Sequence, residues 1–393
     1  MHKIVLKKGK EVSLSRKHPW VFSGAIKRIP KSLDEGDVVG VYSSADDFLA
    51  KGHYQDGSIA LRIISFDDEA IDLEFWAKKL SEAQALRARL GLLDSEQTNC
   101  YRLIHAEGDG LPGLIIDIYG QAAVIQAHSI GMHKNQEEIA KALKRVYGDQ
   151  ITTIYSKSEA TLPDRYSEFI EDKHLLGNAE EGEVKENGCC FKVNWVTGQK
   201  TGFFLDQRVN RALLASYAKG KTILNTFAYS GGFSIYGLAH GAEKVVSADI
   251  SAKAVELIDE NVEINFGKSL STHQSLKVDV MKYLKQEEEN FDIVLVDPPA
   301  FAKNLRKRHK AVIGYKQLNA MAINRVKKGG LLFTFSCSQV VDDKLFYDTI
   351  VAAAIQAGRR ARVLHKLCQS PDHPVSIFHK EGHYLKGLVL YIE

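Results

Sequence analysis

From about residue 190 onward the chain alternates short, continuous apolar runs with longer amphipathic ones. The apolar runs read as strands at Thr222–Phe227, Lys244–Ala248, Leu276–Asp279, Phe291–Val296, Leu331–Phe335, Arg362–Leu367 and Lys386–Tyr391. Helical patterns fall between most of them, notably at Gly232–His240, Ser251–Phe266 and Asp342–Ala357. Strands without polar alternation are buried on both faces, which calls for helices on both sides of a mainly parallel sheet. The expected fold of this part is therefore a doubly wound, Rossmann-like α/β domain. Such sheets bind ligands beyond the C-terminal ends of their strands, at the point where strand order reverses. The residues that follow each strand are accordingly the ones placed for chemistry.

Two strand ends carry reactive side chains: Val296-Asp297-Pro298-Pro299-Ala300-Phe301 and, about forty residues later, Phe335-Ser336-Cys337-Ser338. Asp297 and Cys337 should emerge at the same edge of one sheet. A cysteine thiolate can add to carbon 6 of a pyrimidine, which makes carbon 5 nucleophilic enough to take a methyl group. Asp297 can stabilise the proton that addition puts on ring nitrogen 3 of a cytosine. The two prolines fix the chain after Asp297 and leave carbonyls free to accept from an exocyclic amine. A lone cysteine is more often a small buried hydrophobe; the neighbouring Asp-Pro-Pro favours the nucleophile. A thiol with a pKa of roughly 8.5 needs an electropositive setting to ionise near neutrality, and the basic run Lys303–Lys310 is a candidate source.

The first strand runs into Asn225-Thr226-Phe227-Ala228-Tyr229-Ser230-Gly231-Gly232-Phe233, a loop with a late glycine pair. It lacks the Gly-x-Gly-x-x-Gly spacing of dinucleotide folds, which argues against a nicotinamide oxidoreductase. Asp249 ends the next strand, 18 residues past Gly231, where a carboxylate can accept both ribose hydroxyls of a nucleoside. Asp279 ends the third strand and could receive an adenine amino group. Together these positions point to S-adenosylmethionine, whose sulfonium favours nearby carboxylates and aromatic faces. Upstream, Gly198–Arg211 holds two adjacent Phe and a dense polar run. It reads either as a lid over the cofactor, with Arg208 pairing the cofactor carboxylate, or as an ordinary amphipathic lead-in helix.

Ahead of this domain, residues 1 to about 70 alternate apolar and polar positions in short runs, as in a small β-barrel or sandwich. A helical pattern follows from Asp72 to Leu92. Then come a hairpin through Asp109-Gly110, a strand at Ala122–Ala127, a helix at Lys134–Tyr147 and a strand at Ile151–Ser156. Asn187-Gly188 between two alternating runs is a hairpin signal. The expected division is 1–71, 72–190 and 191–393. Net charge is only +3, but Lys3–Lys31 holds nine Lys or Arg against one acid, Glu11. Acidic stretches around Glu180–Glu186 and Glu287–Glu289 offset it. A β-rich unit with that basic excess and Trp20, Phe22 and Tyr42 could hold an RNA helix through phosphates and stacking; alternatively it is a capping domain with those aromatics in its core. Five cysteines without a Cys-x-x-Cys pair suggest a reduced, cytoplasmic protein without structural zinc. No apolar run approaches membrane-spanning length.

The runs Lys200-Thr201-Gly202-Phe203-Phe204-Leu205-Asp206-Gln207-Arg208, Asn225–Gly232, Asp297–Phe301 and Phe335–Ser338 together resemble a bacterial family of S-adenosylmethionine-dependent ribosomal RNA methyltransferases. Its members include the large-subunit cytosine-5 enzyme. His18-Pro19-Trp20-Val21-Phe22-Ser23-Gly24 resembles that family's PUA domain, and Tyr101–Leu114 its central domain, so the likeness spans nearly the whole chain. It implies a PUA domain, a central α+β domain and a class I methyltransferase domain acting on structured RNA. By matched position it places Gln207, Arg208, Phe227, Tyr229, Asp249, Asp279 and Asp297 around the cofactor, with Asn225, Ser230 and Gly231 in the same loop. One departure stands out: other RNA cytosine-5 enzymes carry a second Cys beside the strand-four proline, and Pro298-Pro299-Ala300 has none. The base that removes the carbon 5 proton is thus unassigned. Guanine and uracil remain alternative targets, as does a non-catalytic ribosome assembly role. Oligomeric state is open, with a homodimer among the assemblies allowed.

Overall fold

The computed structural model of the chain describes residues 2–393 except Asp94, Ser269, Glu287 and Lys303, with backbone alone at 167–169. Glu287 of the acidic stretch and Lys303 of the basic run thus lie outside the described residues. The chain forms two compact units. One comprises Met1–Val184, Val193–Leu205 and Pro371–Gly382; the other comprises Lys185–Lys192, Asp206–Ser370 and His383–Glu393. The boundary passes through the hairpin of Glu181–Glu186 and Cys189–Asn194. Its turn has the Asn187-Gly188 pair, both with positive φ (49° and 83°), as a two-residue type I′ hairpin requires.

The first unit holds two sheets, each with its own core. The six-stranded sheet runs in the order Trp20–Phe22, Ile59–Ser65, Phe48–Tyr54, Val38–Tyr42, His2–Leu6, Ile26–Arg28. Ile4, Leu6, Val39, Val41, Leu61 and Ile63 fill its inner face, the alternation read from the sequence. A five-stranded sheet follows, ordered Lys173–Leu176, Thr153–Ser156, Ala122–Ala127, Leu114–Tyr119, Cys100–His105. Helices Leu73–Arg89 and Gln136–Tyr147 bury Trp76, Leu80, Ile139 and Leu143 in the core of that sheet. Asp72 starts the first of these helices by accepting from the Phe75 N–H at 3.1 Å.

The Tyr101–Leu114 motif owes its composition to a buried charge network in this unit. Arg87, fully buried, forks onto Asp109 at 2.5 and 2.8 Å and donates to the backbone carbonyls of Arg102 (2.7 Å) and Asp372 (2.8 Å). Arg102 forks onto Asp117 at 2.7 and 2.8 Å, and its own N–H donates to the Asp372 carboxylate. Each charge therefore meets several partners, the condition under which burying it is tolerable. The segment Pro371–Gly382 is held so closely that a Cβ at Gly108 would lie 1.9 Å from the Pro374 carbonyl oxygen.

In the second unit a seven-stranded sheet is built from β1 (Thr222–Thr226), β2 (Lys244–Asp249), β3 (His273–Lys277), β4 (Phe291–Val296), β5 (Val326–Ser336), β6 (Ala361–Leu367) and β7 (Lys386–Ile392). Their order is β3-β2-β1-β4-β5-β7-β6. All neighbours are parallel except β7, which runs antiparallel to both β5 and β6. The helices are α1 (Arg208–Tyr217), α2 (Gly232–Ala239), α3 (Ala252–Phe266), α4 (Val280–Gln286), α5 (Arg308–Arg325) and α6 (Asp343–Ala357). One face of the sheet (Leu224, Val246, Val294, Leu332, Leu388) packs with α4, α5 and α6; the other (Ile223, Val245, Ile293, Phe333, Val389) packs with α1 and α2. The doubly wound fold expected from uninterrupted apolar strands is the one observed. One detail differs. β3 ends at Lys277, so Asp279 lies two residues beyond it, at the start of α4, where it accepts from the Lys282 N–H at 3.1 Å. Residues 193–205 and 371–382 pack with the first unit.

Substituting Gly108→Ala should destabilise the protein by about 2 kcal/mol or more, because the new methyl meets backbone that cannot rotate away. Urea melts of variant and wild type measure this; equal midpoints would show that the Pro371–Gly382 segment is loosely held.

Candidate active site

The strand order reverses between β1 and β4, and the register there decides which side chains meet. Thr226 pairs with Ala248 on one side and Val296 on the other, and Val296 pairs with Thr334. Phe227, Asp249 and Asp297 therefore leave the sheet side by side at its C-terminal edge, with Cys337 one residue past the end of β5.

The loop after β1 is held in an unusual shape. Phe227 and Tyr229 both adopt left-handed backbone conformations, with φ of 55° and 48°, a strain of order 1–3 kcal/mol each. Asp249 supports it by accepting from the Tyr229 N–H at 3.0 Å through one oxygen and from the Ser251 N–H at 2.9 Å through the other. The Asn261 amide donates to the Ser230 carbonyl at 2.8 Å, and Gly231 opens α2. Asn225 is 1% exposed; its amide donates to Ser234, while its Oδ1 has no hydrogen-bond partner. Phe227, Tyr229, Asp249 and Asp279 are half-buried, whereas Asn225, Ser230 and Gly231 are buried.

The lead-in run divides in two. Its first half is anchored in the first unit, where the Thr201 hydroxyl donates to Asp117 at 2.6 Å and the Phe203 N–H points to the Tyr119 hydroxyl at 3.3 Å. Its second half enters α1. There the Gln207 side chain donates to Asp297 at 2.9 Å and accepts from Asn210 at 2.6 Å, setting the orientation of the Asp-Pro-Pro carboxylate. Arg208 is buried, with Nε 3.3 Å from Glu186. The same carboxylate receives Nε and Nη2 of Arg211 at 2.7 and 2.8 Å and the Tyr236 hydroxyl at 3.0 Å. Burial pushes the Arg211 guanidinium down, but the Glu186 charge, Tyr236 and the hydrogen bond to Glu186 together hold its pKa above the usual value. Burial, and then Glu186, also raises the Tyr236 phenol. The network fixes the start of α1 behind Gln207. Glu186 carried no sequence signal beyond the acidic stretch that contains it, and Tyr236 carried none, whereas Arg208 stood in the motif run.

Cys337 is half-buried between two buried serines. Ser338 ties its loop down: its Oγ meets the Tyr315 hydroxyl at 3.0 Å, its carbonyl accepts from Lys386 Nζ at 3.0 Å, and the Ala302 N–H makes a longer approach at 3.5 Å. Phe301 packs on Tyr315, ring centroids 4.6 Å apart, so the loop after Asp297 and the loop of Cys337 share one support on α5. Tyr315 and Lys386 were missed from the sequence because each reaches the site only through sheet pairing or helix packing. The other thiols differ. Cys100 and Cys189 are buried, and burial with the Glu186 charge pushes Cys189 up to about 11; Cys368 is exposed and also raised, first by desolvation. The described part of the basic run, Asn304–Lys310, is exposed at the start of α5.

A family model described as S-adenosylmethionine-dependent methyltransferase matches residues 102–372, and one described as a PUA-like domain matches residues 4–66. The chain belongs to the S-adenosylmethionine-dependent methyltransferase family. It is 39% identical to the Ribosomal RNA large subunit methyltransferase I of Aeromonas salmonicida and 40% identical to that of Alteromonas mediterranea, over 98% of this chain and 98% of each relative. Among solved structures, a Streptococcus mutans protein assigned as a SAM-dependent methyltransferase shares the fold over both whole chains, with a TM-score of 0.83 at 24% identity. A chain assigned as a methyltransferase and complexed with SAH aligns equally fully, with a TM-score of 0.84 at 25% identity. The cofactor of this methyltransferase is S-adenosylmethionine. The edge of the sheet fits that molecule. Asp249 has used one lone pair per oxygen and Asp279 one in all, which leaves acceptors for hydroxyl and amino groups. Half-exposed aromatic faces and carboxylates suit a sulfonium cation.

Removing the buried carboxylate with Glu186→Ala should cost about 3–5 kcal/mol, since two buried guanidinium groups lose a shared counter-charge. Denaturant melts test it, and a loss under 1 kcal/mol would contradict the central role given to this network.

Proposed function

We propose that this methyltransferase modifies carbon 5 of a cytosine in large-subunit ribosomal RNA, with Cys337 as the covalent catalyst and Asp297 as its partner. The observation that carries the reading is the placement of a half-buried thiol and an oriented carboxylate on the ends of adjacent parallel strands β4 and β5. The names of the relatives, similar over nearly their full length, support ribosomal RNA as the substrate class, and such a substrate belongs to the cytoplasm.

S-adenosylmethionine supplies an electrophilic methyl group when bound. In this reading Asp249 accepts the ribose hydroxyls, Asp279 the adenine amino group, and Phe227 and Tyr229 flank the donor; Gln207 acts through Asp297. Arg208, engaged with Glu186 through Nε, helps to hold the start of α1. The Cys337 thiolate adds to carbon 6, forming a sulfur–carbon bond and giving carbon 5 enamine character. Asp297 stabilises the proton at ring nitrogen 3. After carbon 5 takes up the methyl group, its proton leaves to a base, the sulfur–carbon bond breaks and the thiolate is released. Phe301, the aromatic nearest to Pro298-Pro299, packs against Tyr315, which favours carbon 5 over the exocyclic amine of a base stacked on that ring.

A base paired in an A-form helix cannot be reached in line, so the target lies in a loop or is flipped out. The PUA-like domain contributes through its basic residues and through Phe22, which is 51% exposed. Trp20 is less available: its indole N–H donates to Glu107 at 2.9 Å and its ring packs on His379 at 4.4 Å.

Cys337→Ala should abolish methyl transfer while S-adenosylmethionine still binds; tritiated-methyl transfer to rRNA and nucleoside mass spectrometry read the two possibilities. Full activity, or methylguanine in the product, would eliminate the covalent cytosine mechanism. Asp249→Ala should weaken S-adenosylhomocysteine binding at least tenfold in calorimetric titration, and unchanged affinity would remove Asp249 from the cofactor site.

A further inference from the structure

Lys386 interrupts an apolar stripe. On β7 it precedes Leu388, Leu390 and Ile392 at alternate positions, all three in the core beneath α5 and α6. An aliphatic residue would continue that stripe, yet the chain buries an amine there, leaving it 3% exposed. Stripping an ammonium of water costs several kcal/mol unless it meets partners, so the partners indicate its purpose. β7 pairs antiparallel with β5, and Lys386 lies opposite Ser336, the residue before Cys337. Its Nζ donates at 3.0 Å to the carbonyl of Ser338, the residue that follows Cys337. The thiol is therefore framed by the residue that Lys386 faces and the residue that it binds.

Charged groups around the amine partly offset its burial. Burial holds the Lys386 ammonium below its usual range; Asp343 at the start of α6, Cys337 itself and Asp342 act against that shift without cancelling it. Asp343 also meets His383 at 3.3 Å, and from α5 the Tyr315 hydroxyl lies on Ser338. Attraction between Lys386 and the thiolate acts in both directions.

We propose that Lys386 is a positioning residue for Cys337, its buried ammonium clamping the carbonyl that follows the thiol and favouring the thiol's charged form. This rests on the reading of Cys337 as the nucleophile. It supplies the electropositive setting from beneath the loop, by a fixed charge on the neighbouring strand, whereas the exposed basic run on α5 is free to serve the RNA backbone. The effect is electrostatic and geometric.

The test is the pH profile of Cys337 alkylation by iodoacetamide, resolved by peptide mass spectrometry, with exposed Cys368 as the reference in the same molecule. In wild type, Cys337 should titrate below an ordinary thiol, about 8.5. Lys386→Met, which keeps length and removes charge, should slow Cys337 alkylation about tenfold at pH 7, with the rates converging at high pH and Cys368 unchanged. Lys386→Arg should recover most of the loss. An identical Cys337 profile in Lys386→Met overturns the proposal. So does a wild-type Cys337 that titrates at or above 8.5, a result available even if the Met variant does not fold. Methylation by Cys337→Ala is measured alongside: activity there would remove the nucleophile, a failure distinct from an unchanged alkylation profile.

Discussion

The reversal of strand order between β1 and β4 is the constraint on which the rest of the second unit depends. Because the connections from these two parallel strands leave toward opposite faces, no helix covers the sheet edge between them. The residues proposed for the chemistry are arranged about that opening: Phe227 and Asp249 on the β1–β2 side, Asp297 and Cys337 on the β4–β5 side, and Gln207 reaching from the start of α1 to the Asp297 carboxylate at 2.9 Å. The register between neighbours does the positioning, since a slip of one residue would turn each of these side chains to the other face.

Much of this was legible in the sequence, and the reason is burial. Strands covered on both faces must be continuously apolar, so β1, β4 and β7 announced themselves within a residue or so. β3 was read three residues late at its start because it is the edge strand, and His273, Gln274 and Ser275 can face solvent there. Asp297 and Cys337 were legible because they end apolar runs. Lys386 was not, since its importance comes from facing Ser336 across 50 residues of chain. Glu186 looked like one acid in a solvated stretch, although it is completely buried among two arginines and a tyrosine. Such long-range pairing leaves no local pattern. The place of Pro371–Gly382 was illegible for the same reason: nothing in that segment signals that Arg87 will claim it.

The two buried networks share a design. In each, one fully buried charge, Glu186 or Arg87, gathers several partners from distant elements. Packed hydrocarbon would often be as stable, but it would tolerate small shifts that a forked arginine–carboxylate pair does not. Behind Gln207, that lack of tolerance is useful, because the direction of the Asp297 carboxylate follows from where α1 begins.

The Arg87–Asp372 contact also governs when the protein can be finished. Its two residues are separated by 285 positions, which at synthesis rates of about 5–20 residues per second amounts to roughly 15 to 60 s. Through that interval the helix carrying Arg87 and the Arg102 backbone lack one of the groups that complete their network, and the Gly108 surface waits for Pro374. The first unit to leave the ribosome thus closes late, at about the time that β7 arrives to fill the place between β5 and β6.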